Sequence, residues 1–296
     1  MRRHETLALG AAAATGVQVG AALVASRFVI HDIGPASLAF LRYAIAVLCL
    51  APFVIAGTRV RFALRDLLAI MGLGIVQFGV LIALLNLGLQ FIPSTRAALL
   101  FSTFPLMTMI IAAFLGRERI TGVKAAGVML TIVGVAVALG EGLMTSNGTS
   151  EVLGVLLVLA AALCGAVSSV LYRPYLSRYP TLPVGASAML ASVVFLAGPA
   201  GLEGLFTEGT RLDERGWIVV LLIGLSSGIG YVLWLWALKH TTPTRVTVFL
   251  SLSPVTASLL GALILDEPFT LDVFLGLAGV VGGLWLATRI GAGERR

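Results

Sequence analysis

The 296 residues are 58 % hydrophobic and only 11 % charged, where an ordinary soluble domain carries about 25 % charged residues. That leaves too little polar surface to cover the chain in water. The net charge of +6, in a chain of long apolar runs, points to basic loops at a membrane surface rather than to nucleic acid, and the two cysteines, Cys49 and Cys164, have no metal-like spacing and read as small buried hydrophobes.

A run of about 20 apolar residues crosses the ~30 Å hydrocarbon layer as a helix. Breaks at charge clusters and at Pro or Gly turns predict ten such spans, near 7–30, 36–56, 67–89, 94–115, 123–140, 152–172, 183–201, 217–238, 244–265 and 272–290. The opening MRRHE resembles the start of a signal peptide. The run after it is longer than the usual h-region of roughly 7–15 residues, so it reads as the first span.

Polar groups in hydrocarbon are costly and tend to face a bundle interior or a wet cavity. Span 1 places Thr15 and Gln18 on one face, three residues apart. Span 2 holds Arg42, the one charge clearly within a span rather than near its end, about 9 Å from its start by helical rise. Arg42 either snorkels to the surface or works inside, binding a carboxylate or tying helices together through their carbonyls. Span 3 carries Gln77 and Phe78, and span 4 carries Phe101, Ser102 and Pro105. Span 6 has Ser168 and Ser169, and span 7 places Ala191 where span 2 has Arg42. Ser226, Ser227, Tyr231 and Trp234 run along span 8, with Trp236 nearer the interface. Span 9 has Thr247, Ser251 and Ser258 on the face of Pro254. A cavity lined by these groups offers aromatic walls and neutral hydrogen-bond partners, and suits a neutral or zwitterionic solute. The competing reading is that each Ser or Thr bonds its own backbone. Pro105 and Pro254 are expected to kink their helices and to serve as hinges. Gly-x-x-x-Gly at Gly16–Gly20, Gly224–Gly228 and Gly279–Gly283 predicts close helix packing.

The chain repeats itself. TRAALLFSTFP at 95–105 returns as TRVTVFLSLSP at 244–254, an offset of 149 residues. The same frame superposes Gly79 on Gly228, Glu118 on Glu267, Thr121 on Thr270, Gly127 on Gly276 and Gly134 on Gly283. Two five-helix units follow, 1–143 and 152–296. Five is odd, so the second must enter the bilayer from the opposite side. With both termini cytoplasmic, fifteen of the twenty basic residues fall on the cytoplasmic side and four outside, as the positive-inside bias requires. Inverted repeats place a pathway at their mutual interface.

FLGRERITGVKAAGVMLTIVGV and LILDEPFTLDVFLGLAGVVGG both resemble the end of an EamA repeat, where a small apolar helix meets a Glu, a turn and a Gly-rich last helix. FLRYAIA around Arg42 resembles the second helix of the first such repeat. The chain is thus similar over nearly its whole length to the EamA family of the drug/metabolite transporter superfamily, and within it to the aromatic amino-acid exporters. The resemblance implies ten helices in two inverted repeats around a central cavity, and export of small metabolites across a bacterial inner membrane.

None of the fourteen acidic residues lies inside a predicted span away from its ends; Asp272 opens the tenth. Proton relays usually use an intramembrane acid or His, and the small multidrug exporters that resemble this scaffold carry a Glu in their first helix. Facilitated movement is therefore expected over proton-coupled drug efflux, which stays as the alternative beside a non-transporting membrane protein. Glu118 and Glu267, at loop ends, are expected to cap helices. An enzyme is disfavoured: there is no His-Glu-x-x-His, no Gly-x-x-x-x-Gly-Lys-Ser/Thr loop and no base at membrane depth for a Ser. The expectation is an all-α carrier without cofactor or metal, a monomer in the bilayer, with an amino acid or similar metabolite as substrate.

Overall fold

A computed structural model describes residues 2–57, 60–117, 122–145, 149–267 and 270–289. Glu118 and Thr121 lie outside these residues. The described residues form helices and no strand, as hydrocarbon demands of a backbone that must satisfy its own hydrogen bonds.

The first two spans are α1 (Arg2–Val29) and α2 (Pro35–Ala56). Pro35 opens α2 in its first turn, where a missing N–H costs nothing. The third span joins α3 (Leu64–Gly74) to α4 (Leu81–Leu89) through a π turn, Ile75–Val80. The fourth is split into α5 (Ser94–Phe101) and α6 (Phe104–Phe114). Then follow α7 (Gly122–Thr145), α8 (Thr149–Arg178), α9 (Thr181–Leu202) and α10 (Glu214–His240). The ninth span comprises α11 (Pro243–Val248), a 3-10 turn (Phe249–Leu252) and α12 (Ser253–Ile264), and the tenth is α13 (Leu271–Arg289). Eight spans are long and apolar enough to cross a membrane; α7 and α13 contain the shorter apolar stretches Ala125–Gly134 and Phe274–Gly283. The ten helices of the sequence reading are present, with α8 running to Arg178, beyond the expected end at 172.

Spans 4 and 9 break at corresponding places, Ser102–Thr103 and Phe249–Leu252. Pro105 and Pro254 stand in the first turn of the helix that follows each break, a position that tolerates proline. Each span is therefore two half-helices in series rather than one bent rod.

Helix α1 packs on α10 and α12, α2 on α9 and α10, and α8 on α4 and α6, while α7 pairs with α13. At the α7–α13 crossing, glycines matched in the repeat frame meet. A Cβ on Gly134 would lie 2.7 Å from the Gly276 carbonyl oxygen, and one on Gly283 2.5 Å from that of Gly127. The backbones touch directly, which is how helices associate where water does not drive them together.

Polar contacts gather at the ends of the bundle. On the face carrying the C-termini of α1 and α4, the Glu203 carboxylate accepts from Ala36 N (2.9 Å), Ser37 N (2.7 Å) and Ser37 Oγ (2.7 Å) and so caps α2. Glu267 caps α5 in the same way, accepting from Ser94 N and Oγ at 2.8 and 2.7 Å and from Thr95 N and Oγ1 at 3.1 and 2.6 Å. Arg27 donates to the Leu89 carbonyl and Arg96 pairs with Glu151. On the opposite face Asp66 accepts from Tyr179 Oη at 2.9 Å and from Arg178 at 3.3 Å. Pro174 cannot donate to the carbonyl of Val170 four residues before it; the Arg117 guanidinium does so at 2.5 Å. Large apolar side chains such as Phe114, 91 % exposed, point outward to the lipid.

Gly134→Ala should lower stability by about 1–3 kcal/mol, because the added methyl meets backbone that has no rotamer to yield. Gly10→Ala, with nothing within 4 Å of the new atom, should be neutral. Thermal unfolding in detergent measures both, and equal midpoints would show the α7–α13 contact to be loose.

Candidate functional site

A cavity lies between α1, α2, α4, α5, α6 and α10. Thr15, Val19, Ala22, Leu23 and Ser26 of α1 form one wall, and Leu81, Ile82, Leu85 and Asn86 of α4 another. Arg42, Gln77, Phe101, Phe104, Tyr231, Trp234 and Leu250 complete it. It runs from mid-bundle toward the face that carries the ends of α1 and α4. Its empty space is about 510 Å³ counted to the mouth, but only about 30 Å³ of it can hold the centre of a water molecule. This is a narrow slot with room for a few waters.

The aromatic side of the slot is tightly joined. The Tyr43 and Tyr231 hydroxyls hydrogen-bond at 3.0 Å, bridging α2 to α10. Phe78 meets Tyr231 edge-on with centroids 4.4 Å apart, and Phe104 lies against Phe101 and Trp234 at 5.3 and 6.1 Å. Such contacts prefer edge-on and tilted geometry because ring faces are negative and ring edges positive.

The polar side is less satisfied. Arg42 is 4 % exposed. It does not snorkel to the membrane surface: its Nε donates to Ser227 Oγ at 2.6 Å, and that hydroxyl donates to the Ile223 carbonyl at 2.5 Å. The guanidinium carbon is 5.7 Å from the Tyr43 ring centroid. Among the described residues no acidic side chain forms an ion pair with it. Gln77 sits in the π turn, a helix irregularity frequent at functional sites. It is 4 % exposed, and its Oε1 has no hydrogen-bond partner. Thr15 Oγ1 reaches Ala11 O at 2.9 Å and Gly230 O at 3.3 Å, and Asn86 Nδ2 donates to Pro35 O at 3.0 Å.

The structure thus brings together Thr15, Arg42, Gln77, Phe101, Tyr231 and Trp234 of the residues singled out from the sequence. Phe78 stands behind the wall, fully buried against Tyr43. Ser227 reaches the slot only through Arg42. Ser102 and Ser168 bond back to the carbonyls of Ala98 and Cys164 four residues earlier, and Ser251 is buried in the 3-10 turn. Gln18 turns out of the slot into an apolar groove between α1, α10 and α12, where its amide donates to Ser226 Oγ at 3.4 Å. Asn86, Ser26 and Phe104 were not anticipated. A lone Asn in the apolar run LIALLNLGL is the signal that could have found the first.

Residues 6–140 and 152–289 each match the EamA-like transporter family. The chain is 30 % identical over 270 residues to an uncharacterized transporter of Archaeoglobus fulgidus, covering 91 % of this chain and 94 % of that one. It is 32 % identical to a "Probable terminal-alkyne amino-acid exporter" of Streptantibioticus cattleyicolor, over 78 % and 76 % of the two chains. A "Probable amino-acid metabolite efflux pump" of Escherichia coli is 27 % identical, over 87 % and 86 %. One crystal structure superposes with a TM-score of 0.74 at 24 % identity, over 93 % of this chain and 98 % of the other, which shows the shared fold. The chain belongs to the EamA-like transporter family, and is a multi-pass membrane transporter rather than an enzyme.

Tyr43→Phe should cost about 0.5–1.5 kcal/mol by leaving the Tyr231 hydroxyl buried without its partner. Adding Tyr231→Phe should recover much of that loss, since both polar ends are then gone. Thermal midpoints of the two single variants and the double variant in detergent decide it; additive losses would show that the hydroxyls do not depend on each other.

Proposed function

We propose that this EamA-like transporter exports neutral amino acids, aromatic ones among them, across a bacterial inner membrane. The observation that carries the reading is the make-up of the slot: Phe101, Phe104, Tyr231 and Trp234 on one side, Gln77, Thr15 and Asn86 on the other, and no acidic side chain in its lining. The relatives named "Probable terminal-alkyne amino-acid exporter" and "Probable amino-acid metabolite efflux pump" support it.

In this reading the units 1–143 and 152–296 are inverted repeats with both termini cytoplasmic. The slot then belongs to a state directed to the outside, and the Tyr43–Tyr231–Phe78 contact closes its cytoplasmic end. The narrowness of the slot implies that side chains or half-helices shift before an amino acid fits. Pro105 and Pro254, beside the two span breaks, are the hinges about which α6 and α12 move. A helix already interrupted at 102–103 and 249–252 gives up few hydrogen bonds when its halves turn. Glu203 and Glu267 are engaged in capping α2 and α5, so neither carboxylate is poised over the slot to carry a proton. Transport is therefore facilitative, needs no cofactor or metal, and is performed by a monomer.

Uptake of labelled phenylalanine into proteoliposomes, with and without a pH gradient, tests this. Protein-dependent flux indifferent to the gradient is the expected result. Gln77→Ala and Trp234→Ala should each lower flux about tenfold or more while leaving the protein folded, since each removes a contact of roughly 1.4 kcal/mol. Flux that requires the gradient would favour proton-coupled efflux, and flux no greater than in empty liposomes would refute the amino-acid reading.

A further inference from the structure

The transport reading leaves two observations unused, and both lie in the same slot. Arg42 is a permanently charged group placed about 10 Å into a helix that crosses hydrocarbon, 4 % exposed and with no acidic partner among the described residues. Its Nε is held by Ser227. Among the described residues its two terminal nitrogens make no hydrogen bond, and Arg42 lines the slot. Gln77 brings the opposite defect, a buried acceptor, Oε1, with no donor.

Either defect alone is costly to keep. A buried cation calls for a counter-charge, and a buried acceptor left unmade loses the hydration it had in the unfolded chain. Asn86, in the same lining, pairs with the Pro35 carbonyl; the unpartnered hydroxyls of Tyr172, Ser253 and Ser258 are buried elsewhere and carry no charge. Arg42 and Gln77 instead bring a charged donor and an unpartnered acceptor to the lining of one narrow space.

We propose that Arg42 and Gln77 form a clamp for the head group of a free α-amino acid, the guanidinium taking the carboxylate and the Gln77 Oε1 taking the ammonium. The proposal rests on the transport reading above and narrows it to solutes with both groups free. Because Ser227 occupies Nε, the end of the guanidinium bearing the two terminal nitrogens is the end left for a solute in the slot that Arg42 lines. That end offers two parallel N–H bonds, the geometry that fits both oxygens of a carboxylate. The ammonium neutralises the carboxylate in turn, so Arg42 keeps its charge and the solute enters without net charge. The side chain of the amino acid then meets Phe101, Phe104 and Trp234. A plain anion would satisfy Arg42 and leave Gln77 unmet; an amine or amide would satisfy Gln77 and leave the charge.

The test is binding to the full-length protein in detergent, read as ligand-induced thermal stabilisation titrated with phenylalanine, phenylalanine amide, N-acetylphenylalanine and phenyllactate. Phenylalanine should bind at least about tenfold more tightly than any of the other three, each of which lacks one of the two charges. Gln77→Leu should abolish the preference over phenyllactate and N-acetylphenylalanine and keep that over the amide. Arg42→Gln should abolish the preference over the amide, with Arg42→Lys restoring part of it. Should Arg42→Gln fail to fold, the wild-type ligand series and Gln77→Leu still decide. Equal affinity for phenylalanine and its amide overturns the clamp, as does equal affinity for phenyllactate, which would make Arg42 a simple anion site; no binding by any of the four overturns it too. Phenylalanine flux in proteoliposomes without head-group discrimination defeats the clamp alone. Selective binding without flux defeats the transport reading and leaves the clamp standing.

Discussion

A polar group inside hydrocarbon must find a partner within the protein, and most of this structure follows from that constraint. It makes every crossing segment helical. It explains why Arg117 reaches the Val170 carbonyl that Pro174 leaves unbonded. It also explains why the first turn of α5 is wrapped by four hydrogen bonds to one carboxylate, that of Glu267. Among the described residues the departures include the hydroxyls of Tyr172, Thr242, Ser253 and Ser258, which lie away from the slot, and the Gln77 Oε1, which belongs to a residue of its lining. Arg42, which has its Nε on Ser227 and no acidic partner among the described residues, lines the same slot. Under the proposal above, one solute would meet both.

The same constraint shapes how the protein can move. Breaking a continuous helix in lipid exposes backbone groups, whereas spans 4 and 9 are already interrupted inside the bundle. Their half-helices lie beside the slot, since Phe101, Phe104 and Leu250 line it. Elsewhere the bundle is rigid for a different reason. At the α7–α13 crossing, carbonyl oxygens occupy the space a side chain would need, so the two helices are locked by shape.

The polar ends of the bundle add a further division of labour. Glu203 and Glu267 hold the first turns of α2 and α5 through side chains contributed by distant parts of the chain. Their charges are matched by backbone N–H groups and the positive end of a helix dipole. Acidic residues are thereby used for fastening helix ends, which leaves the slot itself with one cation and neutral groups.

The sequence by itself determined the ten helices, their order and the repeat frame, because a 20-residue uncharged run has only one stable form in lipid and because matched Arg, Pro and Glu residues survive in one register. Six of the residues it singled out line the slot. Face assignments were where it stopped. Thr15 and Gln18 are three residues apart and were expected to share an environment, yet about 60° of helical rotation separates them, enough to put one in the slot and the other in the groove facing lipid. Ser102 and Ser168 could bond either a solute or their own carbonyls, and periodicity does not distinguish the two. Whether Arg42 snorkels or turns inward depends on Ser227, 185 residues away in the chain. These choices belong to the tertiary structure: a helix pattern records which residues point the same way, but only the packing of neighbouring helices decides whether that direction leads to lipid, to another backbone or to a cavity.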